Sequence, residues 1–158
     1  EFIGEGLLQG LRARATSDRS IGELPGWYLD LELGERIVSK PVLVDGRVEF
    51  ATLTPETDPC GAGGTSSLFA LTALTGGRPS SPPFEIGTGR IDVVIDGQTV
   101  SVPVSAVDLG IGIFDTPPVL RDSADGRVLR PISGTRGERE LWGPGSLSRF
   151  SRSWIQLR

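Results

Sequence analysis

Pro41-Val42-Leu43-Val44-Asp45-Gly46-Arg47-Val48-Glu49-Phe50-Ala51-Thr52-Leu53 reads as two extended runs around a two-residue turn. Asp-Gly between β-branched, partly alternating runs is among the strongest local hairpin signals, because a type I′ turn needs positive φ at both central residues. Pro41 suits a strand start, where a missing N–H is harmless. A loop follows from Thr54 to Gly64, containing Pro55, Pro59 and three glycines. The apolar run Ser67–Leu74 is then stopped by Thr75-Gly76-Gly77, and so short a run between such breakers favours a buried strand and its bend over a helix. The stretch from Lys40 to Gly77 is thus a strand-turn unit, and it sets the expectation of an all-β fold with antiparallel strands.

Outward from that unit the pattern recurs. Val93-Val94-Ile95, Asp96-Gly97 and Gln98-Thr99-Val100-Ser101-Val102 form a second expected hairpin. Pro41-Val42-Leu43 plus Asp45-Gly46-Arg47-Val48 reappears 77 to 80 residues later as Pro118-Val119-Leu120 plus Asp125-Gly126-Arg127-Val128. That offset is about two repeats of roughly forty residues, the period of propeller blades. Trp27-Tyr28-Leu29-Asp30-Leu31 alternates with period 2 and reads as a strand closed by Gly34. Residues 3–15 are compatible with a short helix through Leu7, Leu8 and Leu11, or with a strand pair, since Gly6 and Gly10 weaken the helix by about 1 kcal/mol each. Gly110–Phe114 is expected to be a glycine-containing strand and Pro79–Pro83 an exposed rigid connector. Phe150, Trp154 and Leu157 are the expected anchors of the last segment.

At 158 residues the chain suits one β-rich module spanning 1–158. Its 22 glycines and 12 prolines imply many turns and few long helices. The net charge of −4, with both signs interspersed, argues against a nucleic-acid surface. Arg149, Arg152 and Arg158 form the exception and read as a solvated edge. Without asparagine, N-linked glycosylation is excluded. Cys60 is the only cysteine, so no internal disulfide forms; it is a buried thiol, a reactive one, or half of a bridge to another segment. No leader is visible, and the uncharged stretch from Cys60 to Gly77 is too polar and glycine-rich to span a membrane. Glu1-Phe2, without a start methionine, suggests a piece of a longer chain.

Chemistry is read largely from what is missing. There is no histidine, hence no common general base near neutral pH and no common zinc ligand, and neither a serine triad nor a cysteine–histidine pair can be assembled. The carboxylate pairs Asp30/Glu32 and Asp92/Asp96 sit beside strands or in turns, where solvated surface is the simpler reading than acid–base work. Gly61-Ala62-Gly63-Gly64-Thr65-Ser66 lacks the lysine of a phosphate loop, and Gly87-Thr88-Gly89-Arg90 is read the same way. Asp115, Asp122 and Asp125 offer oxygens to calcium, but their spacing is not that of an EF-hand and fits ordinary turn chemistry. Trp27, Tyr28, Trp142 and Trp154 could line a carbohydrate platform, though at strand positions packing is the simpler role. The expectation is therefore a non-catalytic module with no catalytic, cofactor or metal residue assigned, the alternative being a secreted carbohydrate-binding β domain.

Several strings carry a family resemblance. They are Gly26-Trp27-Tyr28-Leu29-Asp30-Leu31, Gly34-Glu35-Arg36-Ile37-Val38, Phe50-Ala51-Thr52-Leu53-Thr54-Pro55, Asp58-Pro59-Cys60-Gly61-Ala62-Gly63-Gly64-Thr65-Ser66 and Leu71-Thr72-Ala73-Leu74-Thr75-Gly76-Gly77, with Ser153-Trp154-Ile155-Gln156-Leu157 at the end. In this order they resemble the C-terminal region of the PilY1 family of type IV pilus assembly and adhesion proteins; the match is looser from Pro79 to Ser148. The resemblance implies part of a modified, quinoprotein-like β-propeller, with Lys40–Gly77 as one blade. It implies a structural and adhesive role in pilus biogenesis and twitching motility, and contact with minor pilins or with host or abiotic surfaces. It also implies a place outside the cytoplasm, in the periplasm in transit and then at the cell surface or on the pilus, with no membrane insertion. Calcium, which some members bind, is expected only in parts of the parent protein outside this chain, because no calcium loop is present.

Overall fold

The computed structural model of the chain describes residues 1–19, 21–22, 25–57 and 63–144. Thirteen strands are present among them and no helix. The N-terminal question resolves to a strand pair: β1 (Phe2–Leu8) and β2 (Leu11–Thr16) close around Gln9-Gly10, with φ of 51° and 80°. β3 (Arg36–Ile37) and β4 (Val42–Val44) run along one side of β5 (Arg47–Pro55). β6 (Gly64–Thr65) and β7 (Ser67–Thr72) pair with β5 as well. Asp45-Gly46 has φ of 47° and 77°, the type I′ turn read from the sequence, and β7 ends in a turn at Ala73–Thr75 as expected.

β8 (Arg90–Ile95) and β9 (Gln98–Pro103) form the second hairpin, where Asp96-Gly97 has φ of 52° and 78°. β10 (Ala106–Asp108) then enters the main sheet between β2 and β7. β11 (Leu120–Arg121), β12 (Val128–Gly134) and β13 (Gly137–Gly143) make a separate antiparallel sheet. The main sheet has the order β1-β2-β10-β7-β5-β3, with β4 and β6 attached to β5.

Both faces of this sheet are covered, which explains why β7 is a nearly continuous apolar run. On one face Leu68, Ala70, Ala13 and Ala15 pack with Ile91 and Val93 of the second hairpin, and with Ile132 and Leu141 of the three-stranded sheet. Gly4 and Gly6 on β1 make room for that hairpin; a Cβ on Gly4 would lie 2.6 Å from the Val93 Cγ1. On the other face Phe50, Phe69, Leu71 and Ala106 pack beneath Trp27, Leu29 and Leu31. Phe50 and Phe69 stack with centroids 4.9 Å apart, and burial of each ring contributes roughly 1.5–3 kcal/mol.

Two expectations are corrected. Trp27–Leu31 alternates as read, but it pairs with no strand: it lies across the sheet face, while the outer side of β5 is taken by β3 and β4. Gly110–Phe114 is not a strand, because positive φ at Gly110 (70°) and Gly112 (79°) bends it, leaving a single bridge from Phe114 to Gly134. The repeated Asp125-Gly126 lies in a wider loop that closes through Gly126 N–H to the Asp122 carbonyl at 3.1 Å. Among the described residues there is no closed barrel or ring of blades. The Lys40–Gly77 unit lies inside a longer sheet. Cys60, Gly61, Ala62, Arg149, Phe150, Arg152, Trp154, Leu157 and Arg158 lie outside the described residues.

Candidate functional site

Arg14 stands between Ala13 and Ala15 on β2 and points into the aromatic face. Its guanidinium lies 4.9 Å from the ring centroids of both Phe2 and Phe69. It donates to the two carboxylate oxygens of Glu35 at 2.8 and 2.7 Å. Glu35 also accepts from the Thr52 hydroxyl at 2.6 Å and from the Glu32 backbone N–H at 3.3 Å. Burial works to raise the Glu35 carboxyl, but the bonds from Arg14 and Thr52 outweigh it and hold the group below the usual carboxylate range. Just outside, Arg12 bridges Glu5 at 2.6 Å and Glu32 at 2.5 Å, and its bond to Glu32 lowers that carboxyl despite partial burial.

These ion pairs clamp one turn. Glu35 N–H donates to the Glu32 carbonyl at 2.9 Å across Leu33-Gly34, and Gly34 supplies the positive φ of 82° that a type II turn requires. Leu33, at the tip, is fully exposed. The same rim of chain shows Tyr28 at 85% exposure, Leu43 at 73% and Val38 at 60%, and Ile37 is also exposed. Among the described strands β3 and β4 pair only with β5, so their outer edge is open. A fixed turn, an open edge and clustered exposed apolar side chains make a surface suited to another protein.

A second clamp ties the main sheet to the three-stranded one. Arg130 of β12 donates through Nε and Nη2 to the two oxygens of Glu49 on β5, both at 2.6 Å. Both side chains are buried, and Phe84 packs 5.5 Å from the guanidinium. Arg130 Nη1 and Arg47 Nε are buried with no hydrogen-bond partner among the described residues. Burial pushes the Arg47 guanidinium below its ordinary range, although Glu49 lies 3.8 Å away.

The residues weighed from sequence do not converge. Asp30 and Asp92 are exposed, Glu32 is engaged by Arg12, and Asp96 occupies its turn. Ser66, at the end of the glycine-rich loop, is buried and exchanges bonds with the backbone of Phe114, which is a structural role. Gly87-Thr88-Gly89-Arg90 is a turn closed by Gly89 N–H to the Ile86 carbonyl at 2.8 Å. Asp115, Asp122 and Asp125 each accept a backbone N–H one or two residues onward, and no group of three metal-ligating side chains occurs among the described residues. Trp27 donates to the Ala73 carbonyl at 2.9 Å and packs on Gly76, while Trp142 lies under the Arg127 guanidinium at 4.8 Å. Of the described candidate platform residues, Tyr28 alone has a largely exposed ring. Sequence reasoning missed Arg14, Glu35, Glu49 and Arg130. The available signal was a charge flanked on both sides by apolar residues within a strand, as in Ala13-Arg14-Ala15 and Val48-Glu49-Phe50.

No family model and no solved structure matches the chain. Curated relatives do. The type IV pilus biogenesis factor PilY1 of Pseudomonas aeruginosa is 27% identical over 135 residues, covering 75% of this chain and 12% of the relative. A PilY1 homologue of Xylella fastidiosa is 30% identical over 125 residues, covering 74% of this chain and 10% of the relative. The chain therefore spans about a tenth of the length of these relatives.

Proposed function

We propose, since the chain is a region of the PilY1 family, that it is a non-catalytic structural and adhesive module of a type IV pilus protein, acting outside the cytoplasm. The observation that carries this reading is the rim from Tyr28 to Leu43, where Leu33, Val38 and Leu43 are exposed and the turn carrying Leu33 is fixed by the buried Arg14–Glu35 pair. A buried charge pair adds little net stability by itself, but it fixes geometry, and fixed geometry suits a recognition surface. The absence of histidine and the engagement of Glu32, Glu35 and Glu49 by arginines favour binding over catalysis. No described helix is long and apolar enough to cross a membrane.

The partner in this reading is a minor pilin. The antiparallel order β4-β5-β7-β10 also matches the four strands of one blade, so the module would form part of a larger propeller in the parent protein. The test is biolayer interferometry of the 158-residue chain against a panel of purified type IV minor pilins. Saturable binding that survives high salt and weakens at least tenfold in Leu33→Asp/Leu43→Asp supports the assignment. Equal binding by the doubly substituted chain, or none by either, removes it.

A further inference from the structure

An open cleft of about 550 Å³ lies between the Thr72–Ser80 turn region and the β8–β9 hairpin, on elements the rim does not use. Its polar lining comes from Thr72, Thr75, Ser80, Arg90 and Ser101, together with Arg78 and the Asp18 carboxylate paired with it. The two arginines are unequal. Arg78 is already neutralised, donating to Asp18 at 2.5 Å and to the Thr16 carbonyl at 3.4 Å. Arg90 donates through one Nη2 bond to the Ser101 carbonyl at 2.8 Å, which fixes the guanidinium. Its other side-chain N–H groups have no protein partner among the described residues. The cleft thus holds one positioned, unneutralised cation ringed by hydroxyls, on a chain whose net charge is −4.

We propose that this cleft binds an acidic sugar, with the carboxylate on Arg90 and the ring hydroxyls against Ser80, Ser101 and the threonine pair. A single free guanidinium presents a planar fork that matches one carboxylate in bidentate fashion. A phosphate dianion would need a second free cation, and Arg78 is committed to Asp18. An extended acidic peptide is poorly served, because strand pairing along β9 meets an occupied carbonyl at Ser101 and no N–H at Pro103. Pro79, Val100 and Pro103 give the sugar's C–H face an apolar wall. The volume lies within the usual range for small-ligand sites, roughly 300–1,000 Å³. The assignment goes beyond pilin recognition by the rim, and either can fail without the other.

The test is an amide-shift titration of the 158-residue chain with D-glucuronate, and in parallel with D-glucose, acetate, glucose 6-phosphate and an acidic tetrapeptide. Glucuronate is expected to produce saturable shifts at Thr75, Ser80 and Ser101, weakened by added salt. Glucose and acetate should each bind about tenfold more weakly or not at all, the loss expected when a charge-assisted pair or the ring contacts are missing. Arg90→Gln should lower glucuronate affinity by a similar factor with an unchanged melting temperature. Should that variant unfold, Ser80→Glu, which places a like charge in the exposed loop, should do the same. Equal binding of acetate or glucose, tighter binding of the phosphate or the peptide, or indifference to both substitutions overturns the proposal.

Discussion

Removing Arg130 is the sharpest test of how the two sheets are joined. Arg130→Met keeps much of the volume and the packing on Phe84 but leaves the Glu49 carboxylate buried, with Arg47 Nε 3.8 Å away as its nearest cation. Breaking a buried ion pair from one side costs about 3–5 kcal/mol. Against a total stability on the order of 5–15 kcal/mol this is a large share. For a chain of this size each kcal/mol lowers the melting temperature by about 2–4 °C, so a fall of roughly 6–20 °C is expected. Calorimetry and urea unfolding at neutral pH measure it. The companion variant Glu49→Leu/Arg130→Met should recover most of the loss, because it also removes the buried carboxylate that the single variant leaves without its arginine. A drop of less than about 0.5 kcal/mol in the single variant, or a double variant less stable than the single one, would refute the idea that this pair holds the sheets in register.

Three further outcomes follow from the same geometry. Glu35 and Glu32 have depressed carboxyl values, so their contribution is fully present above the unfolded value of about 4.3 and is lost as pH falls through the folded values. The melting temperature should therefore decline below about pH 5; Thr52→Val, which deletes a 2.6 Å bond to Glu35, brings that carboxyl closer to its unfolded value, so its decline should be shallower and end at higher pH, and an equal acid-induced loss in the two proteins would contradict this. Gly76→Ala places a Cβ 2.2 Å from the Trp27 ring at a φ of 66° and should cost about 2–5 kcal/mol with a shift in tryptophan fluorescence, whereas Gly97→Ala, with φ of 78° and open space, should cost only about 1–2 kcal/mol; equal costs would show that the Trp27 contact is slack. Gly4→Ala overpacks Val93 and should lose about 1–3 kcal/mol, with Val93→Ala restoring part of it in a double-mutant cycle; strict additivity of the two losses would argue against their contact.

The hairpins were legible because their information is local. Asp45-Gly46 and Asp96-Gly97 carry both the turn chemistry and the flanking β-branched residues within about ten positions. The Gln9-Gly10 turn has the same backbone, but Gln at positive φ is not a preferred choice, so the N-terminal pair stayed open between helix and strands. Trp27–Leu31 gave the right face and the wrong hydrogen bonding, because period 2 reports which side chains turn inward and not whether a sheet edge is free. The ion pairs were out of reach for a different reason. Glu49 and Arg130 are 81 positions apart, and only the packing of two sheets brings them together. The arginine and hydroxyls of the cleft are likewise gathered from separate loops and strands.

The place of β10 bears on how the chain reaches this state. Thr16 and Ser105 meet through N–H and hydroxyl bonds across 89 positions, and β2 gains its inner neighbour only when β10 arrives. The β1–β2 hairpin can form early from adjacent residues, yet until that late closure it presents an unpaired inner side. Topologies dominated by such distant pairings fold slowly, on the scale of milliseconds to seconds. The N-terminal hairpin is therefore the segment with the longest wait between forming and being sealed, and the one where pairing with another molecule would compete most directly with folding.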